Sequence, residues 1–111
     1  MQLQVSLNHV GDATVVGAVG ELDLHTAPDL KAALDEAVAG DRDLIVVDLS
    51  GVDFMDSTGL SVIISAVASL AGTKRSLRVV TASPRVTKVF TLTGVDQQIP
   101  MYTSVEQAAV R

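Results

Sequence analysis

Val52-Asp53-Phe54-Met55-Asp56-Ser57-Thr58-Gly59-Leu60 joins two segments of different period. Before it runs Leu44-Ile45-Val46-Val47-Asp48-Leu49, in which only Asp48 is polar. A run of that length and composition suits a strand buried on both faces, in a sheet covered by helices. After Gly59 the apolar residues Leu60, Ile63, Ile64, Val67 and Ala71 fall at i, i+3, i+4, i+7 and i+11, one stripe of an α-helix. Gly72 marks its stop. The expected order is strand, acidic loop from Ser50 to Ser57, then helix. Ser57 thus stands at a helix start, with Asp56 before it and Gly59 shortly after.

Two readings of Ser57 follow from that position. In one it is an N-cap whose hydroxyl accepts from a first-turn N–H, worth about 0.5–2 kcal/mol, with Asp56 sharing the task. In the other it accepts a phosphate, because a helix N-terminus offers free N–H groups and the positive end of the dipole. A phosphoserine adds roughly −1.5 to −2 charges beside Asp56. A partner that had to bury that charge unpaired would lose about 3–4 kcal/mol. At about 1.4 kcal/mol per tenfold, binding would fall by roughly hundreds-fold. Position alone leaves both readings open.

The flanking chain supplies a frame. Leu3, Val5 and Leu7 alternate with Gln2, Gln4, Ser6 and Asn8, as in an edge strand with one wet face. His9-Val10-Gly11-Asp12 predicts a turn into a second strand, Ala13 to Val19, in which Gly17 and Gly20 mark bends or close approach. Gly20-Glu21-Leu22-Asp23-Leu24-His25 then leads to a helix start, with Thr26 as cap candidate, Pro28 in the first turn and Asp29 on the dipole. Leu30, Ala33, Leu34, Ala37 and Val38 form its apolar stripe, and Gly40 ends it. Beyond Gly72, Leu77, Val79 and Val80 predict a fourth strand. Ser83-Pro84 opens a helix with Val86, Val89 and Phe90 inward and Gly94 as its stop. Val95 to Met101 is ambiguous, with a short extended piece near Ile99. Thr103 and Ser104, with Glu106 and Gln107, offer capping boxes for a last short helix.

The expectation is an α/β fold, a mixed sheet of about four strands with helices packed on it, in the order β-β-α-β-α-β-α-α. If the second, third and fourth strands are parallel, Gly20–His25, Ser50–Ser57 and Thr81–Ser83 leave one sheet edge. That is where open α/β sheets place their sites. Asp23 and Ser57 would then be neighbours.

Composition narrows the function. The 111 residues suit one domain, 1–111, with an aliphatic core: 48% are hydrophobic and 3% aromatic. The absence of cysteine excludes disulfides and thiol chemistry and fits a cytoplasmic protein. No apolar run approaches the roughly 18 residues of a spanning helix, so no membrane insertion is expected. Met1-Gln2-Leu3-Gln4 lacks the regions of a signal peptide. A net charge of −5, with no basic stripe and few aromatic residues, argues against direct nucleic-acid binding. Lys74, Arg75, Arg78 and Arg85 are scattered.

Other chemistry is weaker. Ser57 with His25 and an acid would need the mutual geometry of a hydrolase triad, and Met-Asp-Ser-Thr-Gly is not Gly-x-Ser-x-Gly. Asp23, Asp53 and Asp56 have oxygen ligands that suit magnesium, but solvated loop acids or caps explain them as well. Gly72-Thr73-Lys74 lacks the first half of a phosphate loop. Phe54 and Met55 read as core or interface packing. No catalytic residue, resident metal or cofactor is expected.

Asp56-Ser57-Thr58-Gly59-Leu60, after a strand and Val52-Asp53-Phe54-Met55, resembles the signature of the anti-sigma factor antagonists of the STAS domain family. Gly20-Glu21-Leu22-Asp23, with Thr26-Ala27-Pro28, is similar to that family's pattern after its second strand. The resemblance in length and element order covers essentially the whole chain. It implies a STAS-like fold and a partner switch, in which the unphosphorylated protein binds an anti-sigma factor that is also a serine kinase and so releases a sigma factor. Phosphorylation at Ser57, using ATP and magnesium, would switch it off, and a PP2C-type phosphatase would restore it. Asp23 and Asp56 are the expected flanking partner contacts, beside Ser57 and Thr58. Thr58 stands where many relatives carry a second serine and remains a secondary acceptor. The alternative is a STAS-type binding or structural subunit, for example of a transporter assembly, that uses the same edge without phosphorylation.

Overall fold

The computed structural model describes residues 2–110. A hairpin opens the chain, β1 (Leu3–Val10) and β2 (Ala13–Leu22). Three crossovers follow: α1 (Ala27–Ala39) leads to β3 (Leu44–Met55), α2 (Ser57–Ser69) to β4 (Ser76–Val80), and α3 (Pro84–Thr93) to β5 (Met101–Tyr102). A short α4 (Val105–Ala108) ends the described chain. The five strands lie in sequence order, β1 antiparallel to β2 and every later neighbour parallel.

Each crossover steps in the same direction across the sheet. Parallel crossovers of one hand then put their helices on one face. The packing agrees: Val16, Leu22, Ile45, Val47 and Val79 share a core with Leu30 and Leu34 of α1, Ile63 of α2, and Val86 and Phe90 of α3. On the other face α4 covers Ala13, Val15, Leu44, Val46 and Val80 through Ala108. Leu44 to Leu49 is therefore sandwiched, which explains its nearly unbroken apolar run.

Four expectations need correction. There are five strands; the fifth is a two-residue piece at Met101–Tyr102, beyond a 3-10 turn over Val95–Gln97 and the buried Ile99. Such a strand is too short to show periodicity and exists only because β4 pairs with it. Next, β3 does not stop at Leu49. It runs to Met55, so most of the expected acidic loop is strand. Its apolar alternation is lost there because the register against β2 shifts twice, between Gly17 and Val19 and between Gly20 and Glu21, with the extra residue on β3 each time.

Third, α2 ends at Ser69 and buries Leu60, Ile63, Ala66 and Leu70, leaving Ile64 exposed. The sequence stripe was rotated because α2 leans on α1 as well as on the sheet. Fourth, the three edge segments are not level. Leu22 pairs with Met55, but Val80 pairs with Asp48, so β2 and β3 stand beyond the end of β4. Thr81–Ser83 leaves the sheet lower down, and the projecting tip carries only the segments after β2 and β3.

The scattered arginines have structural work. Arg75 donates to the carbonyls of Ala37, Val38 and Arg42, closing the C-terminus of α1 at 2.7–3.0 Å. Arg78 donates to Ala108 and Val110 carbonyls and lies over the Tyr102 ring, clamping α4. Gly17 sits under the Ser6 side chain and Gly20 against the Gln2 carbonyl, the close approaches expected of them.

Candidate functional site: the tip of the second and third strands

At the start of α2 the cap is Asp56 and not Ser57. The Asp56 carboxylate accepts from Thr58 N–H at 2.9 Å and from Gly59 N–H at 3.2 Å. Aspartate is as good a cap as serine, and the extended backbone at Asp56 aims its side chain back over the first turn. Ser57 is thereby moved one place into the helix. Its side chain is exposed, and its hydroxyl makes no hydrogen bond within the described residues. Thr58 is half-buried and lines a groove of about 280 Å³ between α1 and α2, with Lys31, Asp35 and Ser61.

Gly59 explains the glycine of the motif. A Cβ there would lie 2.5 Å from Leu22 Cγ, so only glycine lets the first turn of α2 sit on the buried end of β2. The Asp56 N–H also donates to the Leu22 carbonyl at 3.1 Å. These two contacts tie the start of α2 to the end of β2. They bring the Asp23 turn and the Asp56–Ser57 turn to one tip.

The Asp23 turn is tightly wired. Asp23 Oδ1 accepts from His25 N–H at 2.9 Å and Thr26 N–H at 3.0 Å. The Thr26 hydroxyl accepts from Asp23 N–H at 2.9 Å and donates to the Glu21 carbonyl at 2.8 Å. The Thr26 N–H holds the Asp23 carboxyl below its ordinary value, with smaller help from the His25 N–H. Thr26 is the N-cap residue of α1 by position, but its buried side chain bonds backward into the turn and not forward into the helix.

The tip is acidic. Asp53 is exposed, and Asp23 and Asp56 are half-buried. Among the described residues the one salt bridge, Lys31 to Asp35 at 2.7 Å, involves none of them. No group of three or more acids and histidines among those residues is placed to hold a metal. His25 is exposed, and its backbone, not its ring, is the group bonded to Asp23. Sequence reasoning missed Leu24, which is 66% exposed on the same turn as Asp23; an apolar residue between two polar ones in a turn was the available signal. Phe54 is 37% exposed and Met55 buried, so the pair divides between surface and core. A larger cavity of about 650 Å³ lies beside β5, lined by α3 and by the segments that follow β4 and β5, and contains none of these residues. No helix among the described residues is long and apolar enough to cross a membrane.

Comparison with known proteins places this geometry. The sequence profile of the STAS domain matches residues 4–108. An anti-sigma F factor antagonist of Paenibacillus polymyxa is 30% identical over 103 residues, 92% of this chain and 88% of its own. The crystal structure of an anti-sigma factor antagonist from Mycobacterium paratuberculosis superposes with a TM-score of 0.90 at 30% identity, covering 96% of this chain and 91% of that one. The anti-sigma factor antagonist SpoIIAA in its unphosphorylated form gives 0.80 at 25% identity, over 96% and 93%. In profile, in fold and in the relatives that share its length, the chain belongs to the STAS domain family.

Proposed function

We propose that the protein is an anti-sigma factor antagonist, one STAS domain over residues 1–111 that acts by binding and not by catalysis, with Ser57 as its phosphate-accepting switch. The observation that carries this reading is the free, exposed hydroxyl of Ser57 beside the capping carboxylate of Asp56. The names of the relatives support the antagonist role, and SpoIIAA, described in an unphosphorylated form, supports phosphorylation as the control.

The unphosphorylated tip is the docking surface. Asp23, Asp56, Ser57 and Thr58 meet the anti-sigma factor, whose cationic groups would answer the unpaired carboxylates. That factor is also the kinase. Ser57 Oγ takes the γ-phosphoryl group of magnesium-bound ATP: the Oγ–P bond forms, the bond from phosphorus to the ADP oxygen breaks, and the hydroxyl proton leaves to a base of the kinase. Because Asp56 already holds the Thr58 and Gly59 N–H groups, the phosphate gains the helix dipole but not those donors. It therefore stands outward, next to a carboxylate, where it opposes rebinding. Thr58 is less accessible than Ser57 and is the secondary acceptor. A PP2C-type phosphatase restores the hydroxyl, and the cycle runs in the cytoplasm without direct contact with nucleic acid.

Phosphopeptide mass spectrometry on the protein from its own cells, in growth and under stress, tests this. The expected result is phosphate on Ser57 whose occupancy changes between the two states. Unmodified Ser57 in both, with full peptide coverage, would overturn the switch and transfer the reading to a constitutive STAS binding subunit.

A further inference from the structure

The two edges of the sheet are protected very differently. β5 offers two residues and is followed at once by α4. β1 offers eight, Leu3-Gln4-Val5-Ser6-Leu7-Asn8-His9-Val10, with an unbroken register against β2. No Asp, Glu, Lys, Arg or Pro stands among them, in a chain that is 19% charged. Edge strands normally carry a charge, a proline, a bulge or a cover that blocks further pairing. Among the described residues this one carries none.

The hairpin fixes which backbone groups are free. Gly11 has φ +59, and Gly11-Asp12 is a two-residue turn, so Val10 and Ala13 form a hydrogen-bonded pair. Alternation then gives Asn8, Ser6 and Gln4 to β2 and turns the N–H and C=O groups of Leu3, Val5, Leu7 and His9 outward. Leu3, Val5 and Leu7 lie on the helix-bearing face, where α1 leaves them only half-buried. Ser6 and its neighbours Gln4 and Asn8 are exposed on the opposite face.

We propose that a second copy of this chain occupies the β1 edge, antiparallel and two-fold, joining the two sheets into one. The occupant is a second copy because the edge is self-complementary. An antiparallel mate must present outward-turned residues to outward-turned residues. The register that pairs most of the strand sets Leu3 against His9 and Val5 against Leu7 of the second copy, in both directions, with Ser6 against Ser6 on the axis. The two-fold puts both helix layers on the same side, so the half-buried Val5 and Leu7 of each copy cover one another. The seam brings no charge against charge, which matters for two chains of net charge −5. The pairing leaves α2 and its first turn uncovered, so it is independent of the Ser57 switch.

Ser6 on the axis gives the test. Its pair is of the non-hydrogen-bonded kind, with Cα atoms about 4.5 Å apart, so identical charges there repel. Ser6→Glu and Ser6→Lys are exposed changes that leave the β1–β2 ladder intact. Sedimentation velocity of the full chain from micromolar to millimolar concentration should show wild type shifting to about twice the mass of one chain. Each variant alone should stay at the mass of one chain, and an equal mixture of the two should recover the doubled mass. Hydrogen exchange on unmodified protein, which needs no variant, should show the Leu3, Val5, Leu7 and His9 amides gaining protection with concentration. A wild type that stays monomeric throughout, variants that dimerise as well as wild type, or those four amides unprotected in the dimer would overturn the proposal.

Discussion

Thr26 and Ser57 are both hydroxyl residues at the start of a helix, and both leave the same tip of the sheet. Thr26 is buried, accepts from Asp23 N–H and donates to the Glu21 carbonyl. Ser57 is exposed and its hydroxyl is bonded to nothing among the described residues, because Asp56 does the capping. In each turn an aspartate collects the backbone N–H groups. The difference is where the hydroxyl is left. A buried, doubly bonded hydroxyl is part of the scaffold and closed to a kinase; a free one on a finished cap can change its charge without unmaking the helix. The tip thus combines a turn closed by its own hydrogen bonds with a turn whose hydroxyl is left free.

The largest effect expected from that contrast is on binding. Phosphorylated protein should bind the anti-sigma factor roughly hundreds-fold more weakly, the scale of about 3–4 kcal/mol for an unpaired buried charge. Ser57→Ala should bind like the unphosphorylated form and keep binding in the presence of kinase and ATP. Titration calorimetry before and after kinase treatment measures both, and a variant that still loses its partner would place the acceptor elsewhere.

Thr26→Val reverses the test. It should lower stability by about 1–3 kcal/mol, since it leaves the half-buried Asp23 N–H and Glu21 carbonyl without the Thr26 hydroxyl. Ser57→Ala should change stability by no more than about 0.5 kcal/mol, as exposed substitutions do. Urea unfolding of the pair checks the contrast, and equal midpoints would erase it. Asp56→Ala comes next. Losing the cap should cost about 0.5–2 kcal/mol and loosen the start of α2, read as a lower urea midpoint.

The smallest effect is on pH dependence. Asp23 is held below its ordinary value of 3.8 in the folded protein, chiefly by the Thr26 N–H. The unfolded chain then binds more protons than the folded one between the two values, so stability rises with pH there. The contribution is complete above about pH 4, the unfolded carboxyl range, and is lost as pH falls through the folded value. The stability gap between wild type and Asp23→Asn should be constant from neutral pH down to that point and narrow below it. Unfolding midpoints across the acid range measure this, and a gap that does not narrow would remove Asp23 as its source.

Local pattern made much of this legible. The 3.6-residue period, Pro28 and Pro84 at helix starts, and Gly94 in the left-handed conformation at a helix end announced their elements. The sandwiched run at Leu44 required a sheet covered on both sides. The Ser57 position was legible because strand, acid and helix adjoin in the chain. Its environment was not, because Asp56 and Ser57 are both good caps and only the extended backbone at Asp56 decides between them.

The sequence by itself determined the order of the elements as far as the third helix and a serine at the first turn of the central helix, because each rests on periodicity and on residues within a few positions of one another. Only the tertiary structure decided the rest. The Asp56 N–H finds the Leu22 carbonyl, and Gly59 packs on the Leu22 side chain, across contacts distant in sequence. Two register shifts carry β3 past the end of β4, and Met101–Tyr102 becomes a strand because β4 has a free side. Register and long-range packing are sums over many weak contacts made together, and no short window of residues contains them.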